Sequence, residues 1–199
     1  MAVFAATRWP GLLPQNFSAA YAIAFCAGVY FPRRLAWWLP LVTLFATDVL
    51  INCYYLLAHD IDSFKPAQLV NYLVYGLIIL LGTKLGPKAA WFKLLAGGIL
   101  GAVMFYLITN TASWFFNPFH NPEYTKTLGG WIIALTKGTA GWPQTWEFFR
   151  NTLLSGGLFT GLFVGAMKLS EHLESAQERE PEQGPEAETG KGATEESSA

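Results

Sequence analysis

The chain has 199 residues, of which 52% are hydrophobic, 16% aromatic and only 14% charged, with a formal net charge of −1. Soluble domains carry about a quarter charged residues, so this composition excludes an ordinary water-soluble globule, and nothing in it suits a nucleic acid. The near-neutral total hides an asymmetry: residues 1–168 hold 11 Lys and Arg against 5 Asp and Glu, while residues 169–199 hold 9 Glu against Arg179 and Lys191.

The chain opens with MAVFAATRWPGLLPQ. Residues 1–6 are too few for a signal-peptide core or a membrane span. Pro10 and Pro14 predict an extended, non-helical lead-in over residues 1–15. A membrane helix needs about 20 apolar residues, and stretches of this kind cover 16–31, 36–57, 67–85, 90–112 and 148–167. The stretch 124–140 carries Lys126, Lys137 and three glycines, and reads as an interfacial or re-entrant helix. The predicted fold is therefore all-α: a polytopic membrane helix bundle of five to six transmembrane helices, spanning residues 16–168. From residue 169 onward the glutamate-rich sequence lacks apolar residues to bury, and it reads as a disordered acidic tail.

Asp48 stands out. It lies inside AWWLPLVTLFATDVLINCYYLL, with Asn52 one helical turn later. An ionised group at bilayer depth costs roughly 2.5–3.5 kcal/mol on insertion scales, and such residues face a protein interior or a cavity. Chain direction then gathers other polar groups at the same end. Asp48 and Asn52 occupy the late half of the second stretch, and Asn71 and Tyr75 the early turns of the third. Thr109, Asn110 and Trp114 end the fourth, and Asn151 begins the last. With Asn16 at the first, these residues predict an aromatic-walled, substrate-binding pocket at one end of the bundle. The competing reading is polar glue between helices plus an interfacial aromatic belt. Arg33, Arg34, Lys84, Lys88 and Lys93 lie at the opposite end, denser and closer to span ends than Arg8, Lys65, Lys126, Lys137 and Arg150 at the pocket end, which predicts that the opposite end is cytoplasmic and the pocket extracytoplasmic.

Small residues recur at four-residue spacing, which lets helix backbones approach closely. Gly157, Gly161 and Gly165 form one set, and Gly97 with Gly101 another. Both are expected to pack within the chain. Ala20, Ala24 and Gly28 form a third stripe, suited to a partner subunit. Cys26 and Cys53 read as small apolar residues, and the scattered His59, His120 and His172 suggest no metal site and no cofactor. No Ser/His or Cys/His pairing supports an enzyme. GTKLGPK lacks the spacing of a nucleotide-binding loop.

Several runs carry a resemblance: PQNFSAAYAIAFCAGVYF at 14–31, LPLVTLFATD at 39–48, FYLITNTASW at 105–114, YTKTLGG at 124–130 and FFRN at 148–151. Together they resemble an uncharacterised family of small bacterial membrane proteins regarded as transport proteins. That family is in turn distantly similar to the substrate-binding S components of energy-coupling-factor transporters. The resemblance implies a six-helix, S-component-like domain in the bacterial inner membrane. It also implies a small-molecule solute as ligand and a small-residue face, which Ala20 and Ala24 would fit, for a transmembrane coupling subunit with ATPases. Relatives carry a complete helix ahead of the Asn-Phe-Ser segment, where this sequence has residues 1–6; a bundle without it is expected to leave the pocket open on one flank. The functional expectation is a membrane solute-binding subunit for uptake. The alternatives are a structural or assembly protein without a ligand and a stand-alone proton-coupled transporter.

Overall fold

The apolar stretches fold as helices because a backbone in hydrocarbon must satisfy its own hydrogen bonds. A computed structural model describes residues 1–60 and 65–179, and among these every regular element is helical. In chain order they are α1 (Ala2–Ala6), α2 (Ala20–Tyr30), α3 (Arg33–His59), a 3-10 turn (Pro66–Gln68), α4 (Leu69–Leu85), α5 (Trp91–Phe116), α6 (Leu128–Thr136) and α7 (Thr145–Arg179). Four of these segments, α3, the turn with α4, α5 and α7, are long and apolar enough to cross a membrane. The fold is a helical membrane bundle.

The stretch at 16–31 departs from its predicted span. Asn16 takes a left-handed backbone (φ 61°), so helix starts only at Ala20. It stops where Phe31 is extended ahead of Pro32, as a residue before proline must be. The 11 residues of α2 reach about 16 Å, short of the hydrocarbon core of about 30 Å. Residues 20–29 of α2 are all buried. A helix apolar on every face belongs in a core, and this one packs against α3, α4 and α5.

This burial corrects the partner-docking assignment. Ala20 and Ala24 are fully buried, and Gly28 lies against α4 of the same chain. A Cβ on Gly28 would stand 2.2 Å from the Ile79 carbonyl oxygen, and one on Gly82 would stand 2.2 Å from that of Phe25. The stripe is the seam along which α2 and α4 touch backbone to backbone. The glycines of α7 also divide differently than expected. Gly156, not Gly157, meets α5 most tightly, with Thr160 seated on Gly98 one turn later, while Gly165 has nothing within 4 Å.

The predicted extended lead-in is instead α1 followed by turns, with Phe4 fully buried. At the other end, α7 runs past residue 168, where the tail was expected to begin, as far as Arg179. Helix-forming residues carry it, with a Lys168–Glu171 pair at 3.0 Å and a Ser170–Glu174 hydrogen bond at 3.1 Å. The rest of the expected tail, 180–199, lies outside the described residues. The stretch 124–140 contributes only the nine-residue α6, capped by Thr127, whose hydroxyl accepts from the Gly130 amide at 3.2 Å.

Candidate functional site

The end of the bundle where α2, α4 and α7 begin and α3 and α5 finish holds a cavity of about 430 Å³, within the range typical of small-molecule sites. Its aromatic wall comes from Tyr21, Tyr75 and Phe105. Tyr21 and Tyr75 stack with centroids 6.2 Å apart and planes 16° apart, and Phe105 tilts against Tyr21 at 4.7 Å. Asn71 projects from the first turn of α4, and Tyr55 and Ile51 from the last turns of α3.

Much of the remaining wall is the N-terminal segment, residues 7–18. Left-handed turns at Gly11 (φ 81°) and Asn16 fold this segment back on itself. Three tethers hold it. The Thr7 hydroxyl accepts from the Ala19 amide at 3.0 Å at the head of α2. Asn151, on the first turns of α7, donates to the Gln15 carbonyl at 2.9 Å. The third tether is ionic: Arg8 reaches α3, where its guanidinium meets Asp48 at 2.5 Å, the Leu44 carbonyl at 3.2 Å and the Thr47 hydroxyl.

Asp48 is therefore answered from two sides. One carboxylate oxygen takes Arg8, and the other accepts from the Tyr72 hydroxyl at 2.8 Å. The pair is largely enclosed, with side-chain exposures of 17% for Arg8 and 11% for Asp48. A buried ion pair survives when its remaining hydrogen-bonding capacity is met, and here Thr47, Leu44 and Tyr72 meet it.

The residues expected to converge do so in part. Asn16, Asn71 and Tyr75 line the cavity. Asp48 does not line the cavity but is paired with Arg8, which does. Asn52 spends its amide on the Asp48 backbone carbonyl (2.8 Å) and on a mutual pair with Gln68. Thr109 lines a smaller cavity of about 260 Å³, which shares Asn71 with the first. Asn110 turns back onto the Tyr106 carbonyl of its own helix at 2.8 Å. Trp114 donates to the Thr125 carbonyl at 2.7 Å and carries Lys126 over its ring. It fastens the end of α5 and binds nothing in the cavity. Asn151 serves the site indirectly, by holding Gln15.

Sequence reasoning does not single out Arg8, Tyr21 or Tyr55 for the site. A signal for Arg8 exists: a buried acid calls for a cation, and Arg8 and Arg150 are the two arginines at this end of the bundle. Among the described residues no group of three His, Cys, Asp or Glu stands together to hold a metal.

The tethers make a local prediction. Asn151→Ala is expected to cost about 1 kcal/mol, the usual worth of one hydrogen bond. It should loosen residues 12–18 while leaving α2–α5 protected. Amide hydrogen exchange on detergent-purified protein reads this directly, and unchanged protection of residues 12–18 would mean that Asn151 does not hold them.

A sequence profile described as a family of unknown function (DUF6580) matches residues 1–178. No curated protein and no solved structure matches the chain.

Proposed function

This chain belongs to that family of unknown function, and from that premise we propose that it is a membrane solute-binding subunit, taking up a small molecule through the cavity roofed by residues 7–18. One observation carries the reading. Side chains from α2, α3, α4 and α5 meet the folded N-terminal segment around a single hollow with aromatic walls and a few polar groups. Packing alone does not require such a hollow, since interiors close up to the density of organic crystals.

The proposal includes an orientation. Arg33, Arg34, Lys84, Lys88 and Lys93 lie at the end opposite the cavity, so the positive-inside rule puts the cavity on the extracytoplasmic side of a bacterial inner membrane. It also includes an S-component-like role, in which separate chains supply ATP-driven power. A coupling subunit would have to use a face other than the Ala20, Ala24 and Gly28 stripe, which α4 already covers.

The test is ligand-dependent thermal stabilisation of the protein in lipid nanodiscs, against fractions of a cellular small-molecule extract. A ligand at a hundred times its Kd is expected to stabilise by about 2.7 kcal/mol. The shift should vanish in Asn71→Trp, which fills the cavity from α4. An extract in which no fraction shifts the natural protein overturns the reading. So does a shift that Asn71→Trp leaves intact.

A further inference from the structure

The charges around the cavity narrow what it can hold. Arg8 is the one ionic side chain among the described lining residues, and its charge is already met by Asp48 at 2.5 Å. Asp48 is answered in turn by Tyr72, so neither charge is left for a ligand. The pair sums to zero but is not symmetric. Its positive member lines the cavity, while its negative member, on α3, does not, and its second oxygen accepts from Tyr72 of α4. The rest of the polar wall is uncharged: the amides of Gln15, Asn16 and Asn71, the hydroxyls of Thr7 and Ser18, and tyrosine phenols.

The two charged alternatives meet specific obstacles. A cationic ligand would face Arg8 with Asp48 out of reach. A carboxylate would meet a guanidinium whose charge Asp48 already balances, and would give up hydration without gaining a net opposite charge, which costs more than placing a hydrogen-bonded neutral group. An uncharged ring suffers neither. One of its faces can pack on the Tyr21, Tyr75 and Phe105 cluster, and a carbonyl on its edge accepts from Arg8 or the amides.

Resting on the solute-binding reading, we infer that the cavity selects an uncharged planar ring bearing a carbonyl-type acceptor, with Arg8 as the specificity-determining donor and Asp48 as the positioning residue that cancels its charge.

Three matched probes test this: indole-3-carboxamide, indole-3-carboxylate and 3-(aminomethyl)indole, which share a ring and differ in charge. Binding is read by thermal shift and by isothermal titration calorimetry in nanodiscs of zwitterionic lipid, with Asn71→Trp as the blocked control. The amide is expected to bind the natural protein at least about tenfold more tightly than either charged probe. In Asp48→Asn, which keeps the shape of the side chain and unmasks Arg8, the preference should pass to the carboxylate. A natural protein that favours a charged probe overturns the inference and leaves solute binding standing. An Asp48→Asn protein that folds but keeps the amide preference overturns the role given to Asp48. No response to any probe, in a protein that an extract fraction does stabilise, overturns the ring-and-acceptor class alone. No response to probes or extract removes the solute-binding reading itself. Should Asp48→Asn fail to fold, the comparison of the three probes on the natural protein still decides the class.

Discussion

Asp48→Leu is expected to destabilise the protein by about 3–5 kcal/mol, because it strands the Arg8 guanidinium in a largely enclosed site. Only 17% of the Arg8 side chain is exposed, so water offers it little relief. The remaining partners, the Leu44 carbonyl and the Thr47 hydroxyl, are dipoles and do not neutralise it. Removing both charges together with the Tyr72 hydroxyl should behave differently. In Arg8→Met with Asp48→Leu and Tyr72→Phe, no charge and no phenol is left without its partner, and buried ion pairs replaced by apolar residues of similar size are often neutral or stabilising. The triple variant should therefore recover most of the loss. Tyr72→Phe belongs in the set because its hydroxyl donates to Asp48, and leaving it alone would cost about 1–3 kcal/mol. Thermal unfolding of the single and triple variants in one detergent measures the difference. A single Asp48→Leu as stable as the natural protein would show that the pair does not close in the membrane. Solute binding separates structure from function here: a triple variant that is stable yet no longer binds would show that the pair is kept for its donor, not for its contribution to stability.

The second large effect lies at the seam between α2 and α4. Gly82→Val is expected to cost more than about 3 kcal/mol, at or beyond the upper end of ordinary overpacking. The nearest neighbours of the new Cβ are backbone atoms: the Phe25 carbonyl oxygen at 2.2 Å, then Gly28 Cα at 3.1 Å. Backbone cannot rotate out of the way as a side chain can. The helices would have to separate, and α2 carries the Tyr21 ring of the cavity wall. Gly165→Val provides the contrast. A Cβ there meets nothing within 4 Å, so the change should stay within about 0.5 kcal/mol, as surface substitutions do. Yield of monodisperse protein and its unfolding temperature report both variants. Equal tolerance at the two positions would contradict the close crossing.

Much of this architecture is legible in residue order. Long apolar runs announce the helices, and Pro32 and Gly86 mark two of their ends, since proline and glycine stop a helix, whereas α5 runs four residues past its expected end at 112, as far as Phe116. The gathering of polar groups at one end is legible too, because antiparallel helices alternate direction and a polar residue's depth follows from its place in the run. Asn16, Asn71 and Tyr75 are found this way. Depth misleads for Asn110 and Trp114, which lie at the right level but turn to their own helix or to a neighbouring loop. Depth along a helix is set by sequence; the direction a side chain faces is set by what packs beside it.

The α2 stripe shows the same boundary. Periodicity tells inside from outside only when a helix has a polar face. The sequence AYAIAFCAGVY has none, so nothing in it tells whether Ala20, Ala24 and Gly28 look inward or outward. The partner of Asp48 is hidden for another reason. Arg8 lies 40 residues away in sequence, in a segment whose prolines suggest no more than a lead-in. Residue order alone establishes that the chain lives in a membrane and that Asp48 must have a partner there, because charge in hydrocarbon is too costly to leave unmet. Which residue meets it, and that the N-terminal segment walls the hollow beside it, emerges only from the packed helices, since contacts between distant segments depend on how whole helices cross and leave no local periodic trace.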